Sequence, residues 1–153
     1  MTKIMFVCHG NICRSPMAEF ILKDMLRKQE LTGIYVSSSA TSTEEIWNGI
    51  GNPVYPPAKA ELAKHGISCD GKRAVQLKKG DYNNYDIFIC MDSNNVRNAM
   101  RIFGNDPANK ICKMMDFTNR KGDVADPWYS DRFDIAYKDI YDGCKALLGE
   151  LIK

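Results

Sequence analysis

The chain is 153 residues long, the size of a single domain with one sizeable core. With 44% hydrophobic residues, 26% charged residues and a formal net charge of +2, it has the composition of an ordinary soluble globular protein. It contains no long Lys/Arg run and no apolar stretch of signal-peptide or membrane-spanning length, so no nucleic-acid partner and no membrane insertion are expected.

In chain order, Ile4 to Val7 reads as a short buried strand. From Met17 to Lys28, the residues Ala18, Ile21, Leu22 and Met25 fall at helical spacing. Ser15-Pro16 predicts the start of that helix, with the hydroxyl as cap and the proline in the first turn. Glu19 is expected in the same turn, where a carboxylate suits the helix dipole. Leu31-Thr32-Gly33 is a turn, and Ile34 to Ser39 reads as a second strand. Thr41 to Pro57 is rich in Ser, Thr, Asn, Gly and Pro, which predicts an irregular connection that forms one wall of a site. Ala58 to Lys64 predicts a helix stopped at His65-Gly66, and Lys72 to Asn84 is polar and turn-rich. Asp86 to Met91 is the third strand. Ser93 to Phe103 is a helix capped by Asp92 or Ser93 and stopped by Gly104, and Lys110 to Met114 is a fourth strand. Lys121 to Ser130 reads as a loop. The final helix, from Asp131 to about Leu151, shows an apolar stripe that includes Phe133, Ala136, Tyr137, Ile140, Cys144 and Leu148. Strands alternating with helices, without repeats or linkers, predict one doubly wound parallel α/β domain over residues 1–153. The site of such a sheet lies at the carboxyl ends of its strands.

The stretch Val7-Cys8-His9-Gly10-Asn11-Ile12-Cys13-Arg14-Ser15-Pro16 falls at such an end, between the first strand and the first helix. A loop curling into a helix N-terminus turns successive backbone N–H groups inward and makes an anion cradle. Gly10 allows close approach, and Asn11 tolerates a left-handed backbone. Arg14 adds a planar fork matched to two phosphate oxygens. Cationic, helix-terminal surroundings favour the thiolate of a cysteine over its thiol. Cys8 is therefore expected to aim a thiolate at a bound phosphorus atom, with the Ser15 hydroxyl placed to hydrogen-bond it. Six cysteines without a C-x-x-C pair, and only two histidines, point to free thiols in a reducing, cytoplasmic compartment and to neither metal nor cofactor.

CHGNICRSP closely resembles the signature loop of the low-molecular-weight protein tyrosine phosphatases. The likeness continues through SSAT (Ser38 to Thr41), KHGI (Lys64 to Ile67), ICMD (Ile89 to Asp92) and DPWY (Asp126 to Tyr129), in that family's order and spacing. The resemblance implies a four-stranded parallel sheet flanked by helices on both faces. It also implies a tyrosine phosphatase acting through phosphocysteine on Cys8, with Arg14 on the phosphate and Asp126 as general acid and base. The phosphate-binding loop would comprise His9, Gly10, Asn11, Ile12, Cys13, Arg14 and Ser15. Asn11, Ser15, Ser38 and His65 match positions of a network that holds that loop in shape. Trp128 and Tyr129 match the aromatics that flank the entering ring, and Trp47 lies where the family places a wall of the cleft. Tyrosine-phosphorylated proteins are the implied partners, with inorganic phosphate or other oxyanions as product or inhibitor. In some members the resemblance further implies a redox brake between the residues matching Cys8 and Cys13. His9 departs from many relatives and is placed either at the pocket rim or facing solvent.

Three other readings compete. Arsenate reductases of this fold share the Cys-x5-Arg loop but need two further cysteines close together, whereas Cys69, Cys90, Cys112 and Cys144 are widely separated. Protein-arginine phosphatases of the family typically carry Thr where Ile12 stands, and the aliphatic Ile12 with the Trp128–Tyr129 pair suits a flat phenyl ring. A silent phosphate-binding module would usually have lost Cys8, Arg14 or Asp126. Asp92 is explained adequately as a helix cap.

Overall fold

A computed structural model describes all residues, 1–153. Its layers follow from side-chain alternation along β1 (Thr2–Cys8), whose residues Ile4 to Cys8 are all buried. Ile4, Phe6 and Cys8 point to one face, Met5 and Val7 to the other, each into its own apolar cluster. The larger cluster is closed by α1 (Arg14–Lys28), through Met17, Ile21 and Leu22, and by the last helix. A strand buried on both faces reads as a continuous apolar run, which is why Ile4 to Val7 shows no alternation.

The chain continues through β2 (Ile34–Ala40), β3 (Ile46–Trp47), β4 (Ile50–Gly51), α2 (Pro56–Lys64), α3 (Asp81–Asn84) and β5 (Ile87–Cys90). It ends with α4 (Ser93–Phe103), β6 (Ile111–Lys113), a 3-10 turn (Met114–Phe117), α5 (Pro127–Ser130) and α6 (Phe133–Leu151). The main sheet has the order β2-β1-β5-β6, all parallel, with Cys8 opposite Ala40 and Val7 opposite Cys90. α1 and α6 cover one face, and Ala99 and Phe103 of α4 pack with Met5, Val7, Phe88 and Cys90 on the other. This is the four-stranded parallel sheet flanked by helices on both faces. The chain runs outward from β1 in one direction and from β5 in the other, so a crevice opens between their carboxyl ends. Cys8 stands at the end of β1.

Several local expectations are corrected. α1 begins at Arg14, with Cys13 as a cap that makes no side-chain bond. Ser15 lies inside the first turn and turns its hydroxyl back to the loop, so it does not cap. Glu19 falls beyond that turn and is buried. Thr41 to Pro57 is not wholly irregular: β3 and β4 form a small antiparallel hairpin. Asn48 and Gly49 both take positive φ (49° and 77°), the requirement of a tight two-residue hairpin turn. α2 starts at Pro56, since proline suits the first helical positions. α6 starts only at Phe133, because Asp131 takes a left-handed φ of 59° that ends α5. No helix is long and apolar enough to cross a membrane.

Candidate active site

The loop from Cys8 to Ser15 closes on the sulfur of its own first residue. Asn11 N–H points at Cys8 Sγ from 3.3 Å, and Ser15 Oγ lies 3.0 Å from the same sulfur. Asn11 adopts φ 58°, which bends the chain tightly enough to bring its N–H back to the strand end. Both Cys8 and Asn11 are almost wholly buried.

The hydrogen bonds beneath the loop have a direction. The Asn11 amide donates from Nδ2 to Ser15 Oγ (2.7 Å) and to Ser38 Oγ (2.9 Å), and its Oδ1 accepts from Val75 N–H at 3.0 Å. The Ser38 hydroxyl donates to Glu19 Oε1 at 2.6 Å. Ser15 Oγ, already an acceptor, thus has its hydroxyl proton left for the Cys8 sulfur. That bond suits a thiolate. Glu19 in turn faces Lys23 Nζ at 2.5 Å and Lys72 Nζ at 3.6 Å, and Lys72 donates to the Ser38 carbonyl at 3.1 Å. Burial pulls the Lys72 ammonium below the ordinary lysine range, with Glu19 pulling the other way. Both polar atoms of the Asn11 side chain are satisfied, and losing one partner of such a buried group costs about 1–3 kcal/mol.

Arg14 is oriented from below. Its Nη1 donates to Asp92 Oδ2 and to the Val124 carbonyl, both at 2.8 Å, which fixes the guanidinium plane and leaves Nε and Nη2 for an anion. Burial opposes its charge, but Cys8, Asp92 and Asp126 outweigh that and keep the guanidinium firmly protonated. Asp92 does two jobs. It caps α4 by accepting Asn95 N–H at 2.8 Å with one oxygen, and holds Arg14 with the other. Cys13 lines the same cavity, and burial pushes its thiol far above the usual range, so it stays protonated.

Asp126 is the N-cap of α5. Its Oδ1 accepts Trp128 N–H at 3.1 Å, while Oδ2 stands 3.6 Å from Arg14 Nη2. One carboxylate oxygen is thereby anchored and the other faces the pocket. The cavity measures about 250 Å³ and has the Cys8–Arg14 loop as its floor. Its lining includes the aromatic residues Tyr55, Trp128, Tyr129 and Phe133 and the acidic residues Glu44 and Glu45. Tyr55 packs on Trp128 and Phe133 at centroid distances of 5.2 and 6.0 Å.

Of the residues singled out in the sequence, the cavity gathers Cys8, His9, Gly10, Ile12, Cys13, Arg14, Asp126, Trp128 and Tyr129, with Asn11, Ser15 and Ser38 directly beneath. His9 sits at the rim, paired with Glu44 at 3.0 Å. Two expectations fail. His65 is not in the network: it bonds Glu61 on its own helix at 3.3 Å and stacks on Tyr137 at 3.8 Å, because α2 packs against α6 there. Lys72 and Glu19 occupy the end of the network instead. Trp47 does not line the cavity; it is 74% exposed on the β3–β4 hairpin, and the wall of that segment is made by Glu44 and Glu45. Sequence reasoning also missed Tyr55, Phe133 and the Arg14 contact of Asp92. Tyr55 before two prolines was the one available signal of an ordered aromatic there.

The family described as low molecular weight phosphotyrosine protein phosphatase matches residues 3–153. The chain is 36% identical to the low molecular weight protein-tyrosine-phosphatase YfkJ of Bacillus subtilis, over 100% of this chain and 97% of that protein. The crystal structure of YfkJ superposes with a TM-score of 0.92, covering 99% of this chain and 94% of the other. SP-PTP, a low molecular weight protein tyrosine phosphatase from Streptococcus pyogenes, is 36% identical with a TM-score of 0.87, covering 100% and 95%.

Proposed function

The chain belongs to the low molecular weight phosphotyrosine protein phosphatase family, and from that premise we propose that it hydrolyses phosphotyrosine through a phosphocysteine on Cys8. The carrying observation is the Cys8 sulfur, which receives the Asn11 N–H and the Ser15 hydroxyl at the bottom of a cavity roofed by Asp126. Residues 1–153 act as one catalytic domain.

The loop N–H groups and the free edge of Arg14 bind the three non-bridging oxygens, which carry the charge in a loose phosphoryl-transfer transition state. Cys8 Sγ donates an electron pair to phosphorus as the bond to the phenolic oxygen breaks. The departing oxygen takes a proton from Asp126 Oδ2. Asp126, now a carboxylate, accepts a proton from water as that water attacks the phosphocysteine, and the S–P bond breaks to return the thiolate and inorganic phosphate. Ser15 stabilises the thiolate at both ends of the cycle. Arg14, 3.6 Å from Asp126, holds the loop-borne acid over the same phosphate. Substrates are tyrosine-phosphorylated proteins, which meet the enzyme in the cytoplasm.

The aromatic walls support an aryl ester over phosphoarginine, and only Cys8 and Cys13 among the six cysteines line the cavity, which gives no thiol relay for arsenate. The test is phosphate release from p-nitrophenyl phosphate, phosphotyrosine and phosphoarginine by reduced protein in EDTA, with a Cys8→Ser control. Thiol-dependent release from the two aryl esters alone is expected. Release confined to phosphoarginine would overturn the substrate, and silence on all three would overturn the reaction.

A further inference from the structure

The mouth of the cavity carries charge that the reaction does not use. Three carboxylates, Glu44, Glu45 and Asp126, line it against one guanidinium, that of the buried Arg14. Asp126 and Arg14 are occupied by the chemistry; Glu44 and Glu45 are not. Each glutamate has one polar partner. Glu45 Oε2 accepts from Asn52 Nδ2 at 2.8 Å, and its side chain lies so close to the loop that a Cβ at Gly10 would come within 3.2 Å of Glu45 Cγ. Glu44 stands 3.0 Å from His9, the one other basic side chain at the cavity.

Two carboxylates at the entrance repel a phosphate ester, so by themselves they slow its capture. The cost is recovered only if the substrate brings positive charge on either side of its phosphate. The aromatic part of the lining is suited to the same charge. Trp128 and Tyr129 are 61% and 86% exposed, and their open ring faces attract lysine or arginine as well as a phenyl ring. We propose that Glu44 and Glu45 are specificity residues that select phosphotyrosine flanked by lysine or arginine and turn away phosphotyrosine flanked by acidic residues. This rests on the tyrosine phosphatase reading above.

Three otherwise identical peptides, with phosphotyrosine between lysines, glutamines or glutamates, test it against p-nitrophenyl phosphate, which has no flanks. At low ionic strength, kcat/KM is expected to fall about fivefold from the lysine to the glutamine peptide and about fivefold again to the glutamate peptide. Raising the salt to about 0.5 M shortens the screening length and should draw the three values together. The double variant E44Q/E45Q, which keeps side-chain shape and a carbonyl for Asn52, should collapse the lysine-to-glutamate ratio toward one. Equal kcat/KM for the three peptides beside normal turnover of p-nitrophenyl phosphate overturns the selection while sparing the reaction. A ratio that survives high salt or survives the double variant overturns it too. No turnover of p-nitrophenyl phosphate removes the phosphatase reading and the selection together.

Discussion

Asn11, Ser15, Ser38 and Glu19 lie at most 5% exposed beneath the loop and are bonded to one another. Across the pocket mouth, Asp126 rides on the four-residue α5 beside the exposed Trp128 and Tyr129. Cys8 is held by buried groups that all need their partners, whereas the Asp126 segment combines a buried anchor at Val124 with surface contacts that water can replace. Its segment is tied at a few points. Asp123 accepts from Ser93 N–H at 3.1 Å and from Lys113 Nζ at 3.0 Å. Val124 N–H donates to the Met91 carbonyl at 2.9 Å, and Arg120 reaches Asp139 and Asp142 on α6 at 2.8 and 2.7 Å. A rigid floor and a lightly tethered roof suit a reaction in which the sulfur must stay in line while the acid meets leaving groups of differing shape.

The comparison breaks most visibly at Asp126. Asp126→Ala is expected to lower kcat by roughly 10²–10⁴ for phosphotyrosine, whose phenolate needs a proton, and far less for p-nitrophenyl phosphate. Its melting temperature should barely move, which calorimetry checks. Asn11→Ala acts on the other region and should show both losses. It orphans the Val75 N–H, two hydroxyl contacts and a left-handed backbone position, costing about 2–4 kcal/mol by urea unfolding and about tenfold or more in kcat. Similar losses of kcat for the two leaving groups, in contrast to Asp126→Ala, would mark it as a positioning effect. Asp123→Asn should be milder, a few-fold in kcat for phosphotyrosine with less than about 1 kcal/mol in stability, because its bonds are exposed.

Acid sharpens the contrast further. Burial tends to raise the Asp123 carboxyl, but Lys113 and Ser93 overcome it and hold the pKa below the ordinary aspartate range. A depressed folded pKa means that the anchor's contribution is complete above the unfolded aspartate value, about 3.9, and is lost as pH falls through the folded value below it. Hydrogen exchange should therefore show the segment around residues 118–126 losing protection in that acid window ahead of β1. Simultaneous loss in both would remove the distinction between floor and roof.

Cys8 and Arg14 stood out because they share one contiguous stretch, a strand end, a tight loop and a helix mouth, whereas Asp126, in a segment that reads as a loop, stood out only through the DPWY resemblance. The sheet was legible because strands buried on both faces leave unbroken apolar runs. The far end of the network was not. Lys72 reaches Ser38 and Glu19 only because the segment after α2 runs along the edge of β2, bridging Ala40 at Gln76, and a largely buried lysine leaves no periodic signal. His65 sits on a helix end whose side chain faces Tyr137, a contact set by how α2 meets α6. Trp47 drew attention as a large aromatic, but the Asn48-Gly49 turn carries it out to solvent. Ser15 looked like a helix cap because serine before proline usually is one; here the sulfur of Cys8 takes the hydroxyl first.

The central claim is that the phosphoryl group passes through Cys8, and its most direct test is to trap that intermediate. Phosphotyrosine turnover by the Asp126→Ala variant, which slows attack of water as well as departure of the phenol, is quenched in acid and the peptides are read by mass spectrometry. One phosphoryl group on the peptide containing Cys8, absent from the Cys8→Ser protein and removed when turnover is allowed to finish, is the predicted result. Sustained hydrolysis with no phosphoryl group on that peptide, or near-normal turnover by Cys8→Ser, would contradict the account.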